Sequence, residues 1–183
     1  MVSGCEKTTV NPDKPNEDIY QNSPSSAIPN DFKDGIWFWG NTGSLSYYDY
    51  DGNNVGNAVE AGRQYQFKEV NGQGRLEFQQ YLGNRNASNC VTEVYTHKTG
   101  TVKFEGTNKF TFYPVEGTVK IVKTSTSASC PKGTTDEKLT QAQLTPTTEL
   151  YEIRMLQGKK HLYVFEESDV NYQNPIFVYQ ITG

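Results

Sequence analysis

From Gly35 to the C-terminus, large apolar residues recur at every second position in short runs. Leu76 alternates with Phe78, Phe110 with Phe112, Val119 with Ile121, and Tyr151 with Ile153 and Met155. A period of two buries one side of an extended segment and leaves the other in water. A helix would scatter the same residues around its circumference. Turn chemistry agrees with the alternation, since Asn71-Gly72 is a favoured two-residue hairpin pair and Gly100, Gly106 and Gly117 punctuate the runs. The pattern predicts a strand opening at Gly35-Ile36-Trp37-Phe38-Trp39. Further strands are predicted at Arg63–Val70, Gly74–Leu82, Val91–Lys98, Thr101–Glu105, Lys109–Val115, Thr118–Lys123, Glu149–Leu156, His161–Glu166 and Ile176–Ile181. A polar loop from Thr124 to Thr145 separates the early strands from the late ones. Aromatic residues make up 13% of the chain, which gives short strands enough apolar area to form a core. The fold class expected is all-β. An antiparallel up-and-down barrel of about eight to ten strands fits best, because closure removes the exposed edges of a long meander.

The first 31 residues have a different character. Glu6 to Asp31 is dominated by Asn, Pro, Ser, Thr, Asp and Lys, and it holds Pro12, Pro15, Pro24 and Pro29, half of the eight prolines. Such a stretch has little to bury against its ordering entropy and reads as a flexible tether. The domain organisation expected is therefore 1–31 as anchor site and tether, and 32–183 as the barrel. Val2-Ser3-Gly4-Cys5 resembles the box at which bacterial lipoprotein precursors are cut, which would make Cys5 the acylated residue and the bilayer its partner. On that expectation the protein is an outer-membrane lipoprotein of the cell envelope.

Outside the cytoplasm disulfides persist, and Cys90 and Cys130 are placed to form one. Four predicted antiparallel strands lie between them, and an even number returns the chain to the same rim. Neither cysteine has the CxxC or Cys/His context of a redox or zinc site. Net charge is −4 with no basic cluster, which argues against nucleic acid as a partner. No apolar run is long enough to cross a bilayer as a helix.

Gly35-x-Trp37 at the start of the first strand resembles the G-x-W signature of the lipocalin and calycin barrels. The stretch Tyr65-Gln-Phe67 to Asn71-Gly72-Gln-Gly74-Arg-Leu76-Glu-Phe78 is similar to the early hairpin of bacterial lipocalin-like domains. With the start at Cys5, the whole chain resembles the small lipocalin-like lipoproteins of Bacteroidetes-type bacteria. The resemblance implies a structural Trp37 at the barrel floor. Trp39 would rise above it into the interior, either as core filler or as a surface on which a small ligand stacks.

No G-x-S-x-G, HExxH, phosphate loop or dinucleotide fingerprint occurs, so the chain reads as a non-enzyme. His97, His161 and Glu166-Glu167 read as solvated surface groups. Asp49, Asp51, Asn53, the Val55 carbonyl and Glu60 have the spacing of oxygen ligands in a calcium loop, with Asn54 where such loops carry Gly. The same loop presents Tyr47, Tyr48 and Tyr50 beside acids, a composition able to stack on sugar rings, although tyrosines alternating along a strand would look the same. Three functions compete. They are a carrier of a small apolar or amphipathic ligand, a surface glycan-binding protein, and an interaction subunit of an outer-membrane complex.

Overall fold

The structure, a computed structural model, describes residues 17–33, 35–41, 58–86, 88–125 and 128–182. Nine strands run β1 Ile36–Asn41, β2 Ala58–Val70, β3 Gln73–Arg85, β4 Val91–Glu105, β5 Lys109–Thr124, β6 Gly133–Lys138, β7 Thr147–Leu156, β8 Lys159–Glu166 and β9 Phe177–Thr182. Every pairing is antiparallel. Eight of the strands close a ring in the order β1-β2-β3-β4-β5-β7-β8-β9, and β9 returns to β1. This is a closed eight-stranded antiparallel barrel with a lipocalin-like topology. β6 lies outside the ring and pairs only with the second half of β5.

Two predicted strand pairs are in fact two long strands. Val91–Lys98 and Thr101–Glu105 are both β4, and Lys109–Val115 and Thr118–Lys123 are both β5. Gly100 is not a bend. It lies at a register shift where β4 presses on β5, and a Cβ there would sit 2.1 Å from the Tyr113 carbonyl oxygen. Parity is unchanged, because two strands, like four, bring the chain back to the same rim. Cys90 and Cys130 are bonded, with a Cα–Cα distance of 5.4 Å. β6, with the sequence GTTDEK, lies inside the stretch expected to be a loop, and all six of its residues are exposed.

The alternation sets the inner face. Trp37, Tyr65, Phe67, Leu76, Phe78, Val102, Phe110, Phe112, Tyr151, Leu162, Val164 and Tyr179 are all buried in one core. The G-x-W resemblance has a physical basis here. Gly35 enters β1 at φ +77°, where an L side chain is strained, and a Cβ would come 3.1 Å from the Thr182 carbonyl. Trp37 behind it is fully buried.

The boundary expected at Asp31 falls too late, because residues 20–32 form a strap across one end of the barrel. Phe32 is inserted among the rings of Phe67, Phe104 and Tyr151, at centroid distances of 4.8, 4.9 and 5.0 Å. Ile28 and Tyr20 are also buried. Ser26 bridges two strands, donating its N–H to the Val102 carbonyl and accepting at its own carbonyl from Gly74 N–H. Gly74 is required at that crossing, since a Cβ would lie 2.5 Å from the Ser26 carbonyl oxygen. Thr101 Oγ1 donates to the Pro24 carbonyl, Ile28 N–H to Glu69, and Arg75 lies 3.6 Å over the Tyr20 ring. The composition is that of a tether, but three apolar anchors and these hydrogen bonds offset the ordering entropy. Cys5 and the remainder of the expected tether, up to residue 16, lie outside the described residues.

Phe32→Ala should therefore destabilise the whole barrel by about 3–5 kcal/mol, and amide exchange across Tyr20–Phe32 should accelerate together with that of β3 and β4. Equilibrium urea unfolding and hydrogen exchange measure both; an unchanged midpoint would mean the strap is not part of the core.

Candidate functional site

At the Phe32 end the interior is solid with rings. Toward the other end the inward positions turn polar. Arg63 continues the phase of Tyr65 and Phe67 along β2, and Gln80 that of Leu76 and Phe78 along β3. Thr96 and Lys98 hold inward positions on β4, and Thr147 and Glu149 precede Tyr151 on β7. These residues line a cavity of about 280 Å³ whose apolar walls are Phe78, Phe110, Phe112 and Pro114.

Glu149 is buried at the floor of this cavity, and both of its carboxylate oxygens lie 3.0 Å from the Tyr65 hydroxyl, which donates to them. Burial pushes the Glu149 carboxyl above its ordinary range, while the Tyr65 hydrogen bond and Arg63 work in the opposite direction. The Tyr65 phenol is held well above its usual value by burial first and then by Glu149 and Tyr179. Tyr179 stacks on Tyr65 at 4.9 Å. Its hydroxyl lies within electrostatic reach of Glu149, Arg63 and Tyr65, yet no hydrogen bond of good geometry satisfies it among the described residues.

The guanidinium of Arg63 is fixed by its surroundings. Its Nε donates to Gln80 at 3.1 Å, and its plane lies over Phe177 at 4.1 Å and Phe78 at 5.1 Å. Lys98 donates to the Gln143 carbonyl at 2.9 Å, and its amine is held below the usual lysine value by burial and by repulsion from Arg63. The cavity thus holds Arg63 within electrostatic reach of a carboxyl group that burial biases toward its neutral form, with Lys98 as a second cation on its wall.

Trp39 sits inward on β1, as expected, but it packs edge-on against Phe177 at 4.9 Å and does not line the cavity. Tyr47, Tyr48 and Tyr50, and Asp49, Asp51, Asn53 and Val55 of the calcium loop, lie outside the described residues. Glu60, the last residue of that set, is on β2 with Oε2 3.4 Å from the Tyr81 hydroxyl. Among the described residues no group of three His, Cys, Asp or Glu side chains could hold a metal ion. His97 is on the outer surface, 3.2 Å from Glu77. His161 is not the solvated group expected. It is buried on β8 between its neighbours Arg154 and Gln180, with Nδ1 3.1 Å from the Lys159 carbonyl.

The carboxyl of Glu149 gives a pH signature. Its native pKa is raised, so the native state holds a proton that the unfolded chain releases near its ordinary value of 4.5. Stability from this group is complete below that value and is lost as pH rises through the native one. Glu149→Gln should remove this loss, so that the melting temperature of the variant falls less than that of the wild type as pH rises above 4.5. Parallel melting curves would contradict a buried, proton-retaining carboxyl. In comparisons with protein-family models, curated proteins and solved structures, none matches this chain.

Proposed function

We propose that the barrel is a non-catalytic binding module for a small amphipathic ligand with an anionic head. The observation that carries this reading is the cavity itself, with apolar walls of Phe78, Phe110, Phe112 and Pro114 around a polar end formed by Arg63, Lys98, Tyr65 and Glu149. An alkyl or aryl body would replace water against the rings, at about 25 cal/mol per Å² of apolar surface covered. A carboxylate or phosphate head would meet both cations. It would also relieve both the burial of the Lys98 amine and its repulsion from Arg63, which together hold that amine below its usual value. Arg63 is already immobilised by Gln80 and two rings, so little rotamer freedom remains to be lost on binding. At about 280 Å³ the cavity suits a short-chain ligand rather than a long acyl chain. The same reading places the protein in the cell envelope, acylated at Cys5. The Cys90–Cys130 bond supports an oxidising compartment.

Calorimetric titration with octanoate, octanol and octyltrimethylammonium tests head-group and body separately. Octanoate should bind most tightly, and Lys98→Met should weaken it about tenfold while leaving octanol unchanged. Equal affinity for octanol and octanoate would remove the anionic head from the reading, and no binding by any of the three would remove the ligand.

A further inference from the structure

The outer face of the barrel carries a second concavity that the interior site does not explain. Its origin is legible in the strand register. Gly40 on β1 pairs with Gly62 on β2, Gly62 with Tyr81 on β3, Tyr81 with Tyr95 on β4, Tyr95 with Lys120 on β5, and Lys120 with Asp136 on β6. One outward row thus crosses six strands, with two side-chain-free positions at one end and two tyrosines at its centre. The next outward row, Phe38, Gln64, Gln79, His97 and Thr118, runs beside it. Phe38 fills part of the glycine gap. A Cβ on Gly40 would lie 2.6 Å from its ring, and one on Gly62 would lie 3.6 Å away. The result is a trough of about 390 Å³ across the strands, larger than the interior cavity.

The trough holds three aromatic rings that a folded barrel gains little by leaving in water. Phe38 and Tyr95 remain 39% and 42% exposed, although each has an apolar face. The Tyr81 and Tyr95 rings are 5.2 Å apart and tilted at 42°, so they form an angled platform and not a stacked pair. Both hydroxyls lie 3.3 Å from Glu93 Oε1, and Tyr81 also reaches Glu60 at 3.4 Å, which fixes the rings in place. Burial, Glu93 and Glu60 push the Tyr81 phenol up to about 12, so it stays a neutral donor at any physiological pH. Around the rings stand amides from Gln64 and Gln79, the carboxylates of Glu60 and Asp136, and the amine of Lys120.

From this arrangement we infer that the trough is a binding site for a neutral saccharide. A pyranose presents an apolar C–H face and a rim of hydroxyls that both donate and accept. The rings match the face. The amides and carboxylates match the rim with donors and acceptors together. Lys120 stands against the carboxylates of Glu60 and Asp136 around the trough, while the Arg63 guanidinium is turned to the interior, so the outer wall offers no pair of cations to an anion and suits a neutral ligand better. The ligand differs in class from that of the interior cavity, and the two sites share no aromatic ring.

NMR titration of the whole protein with cellotetraose, maltotetraose and chitotetraose tests the inference. At least one should bind with a dissociation constant of about 1 mM or tighter and perturb the amides of Gly62, Tyr81 and Tyr95. Tyr95→Ala should weaken that binding about tenfold, the equivalent of one stacked ring. Gly62→Val adds a side chain to the trough at a position where a Cβ meets only ordinary contacts, and its melting temperature checks that the fold is retained while the site is blocked. Both variants should bind octanoate, where the wild type does, with unchanged affinity. No perturbation by any of the three sugars overturns the site, as does sugar binding that survives both substitutions in proteins with wild-type melting temperatures.

Discussion

An eight-stranded barrel is only wide enough to be filled by its own side chains or to hold one small molecule, and this chain does both at opposite ends. The ring of Phe32 decides which end is which. It belongs to the strap and not to any strand, and it lies within contact of Phe67, Phe104 and Tyr151, in a layer completed by Phe110. With that end closed by an aromatic plug, any polar group inside must sit toward the opposite rim. The Tyr65–Glu149 pair stands at this boundary. It is the deepest polar layer, with rings below it and the cavity above.

This division has energetic logic. A carboxyl buried without a donor would be costly, and Tyr65 contacts both of its oxygens. Arg63 is moored by one hydrogen bond and two rings, so it holds its charge near the cavity without requiring an ion pair to Glu149. Satisfied polar networks of this kind specify a single arrangement of the core, whereas half-satisfied ones weaken it. Among the described residues the Tyr179 hydroxyl beside this network, and separately the Trp37 indole N–H, have no hydrogen bond of good geometry.

Much of the fold was legible because the barrel wall obeys a period of two. The alternation at Leu76/Phe78, Phe110/Phe112 and Tyr151/Ile153 identifies the inward face correctly, and parity of strands identifies the disulfide. Two elements were not legible, for physical reasons. β6 has no apolar residue and is held by backbone pairing to β5 alone, so no periodic signal marks it. The strap buries three widely spaced side chains, Tyr20, Ile28 and Phe32, in a polar, Pro-rich context that has no repeat at all. The polar end of the cavity was legible in principle. Arg63 falls in phase with Tyr65 and Phe67, and Glu149 in phase with Tyr151 and Ile153, so each is a charge on an otherwise apolar face. The outer trough required the register, because only pairing sets Gly40 beside Gly62 and Tyr81 beside Tyr95.

The interior site rests on a polar layer sealed beneath the cavity by aromatic packing, and Glu149 is its most direct reporter. Carbon-13 NMR of the Glu149 side-chain carboxyl, followed through a pH titration and assigned with Glu149→Gln, reads its protonation site by site. A midpoint clearly above the ordinary carboxylate range is predicted, because burial is the largest influence on this group. Addition of octanoate should displace that midpoint further upward, since a bound anion disfavours a second negative charge in the same cavity. A midpoint at or below the ordinary range, indifferent to octanoate, would contradict both the sealed layer and the binding site built on it.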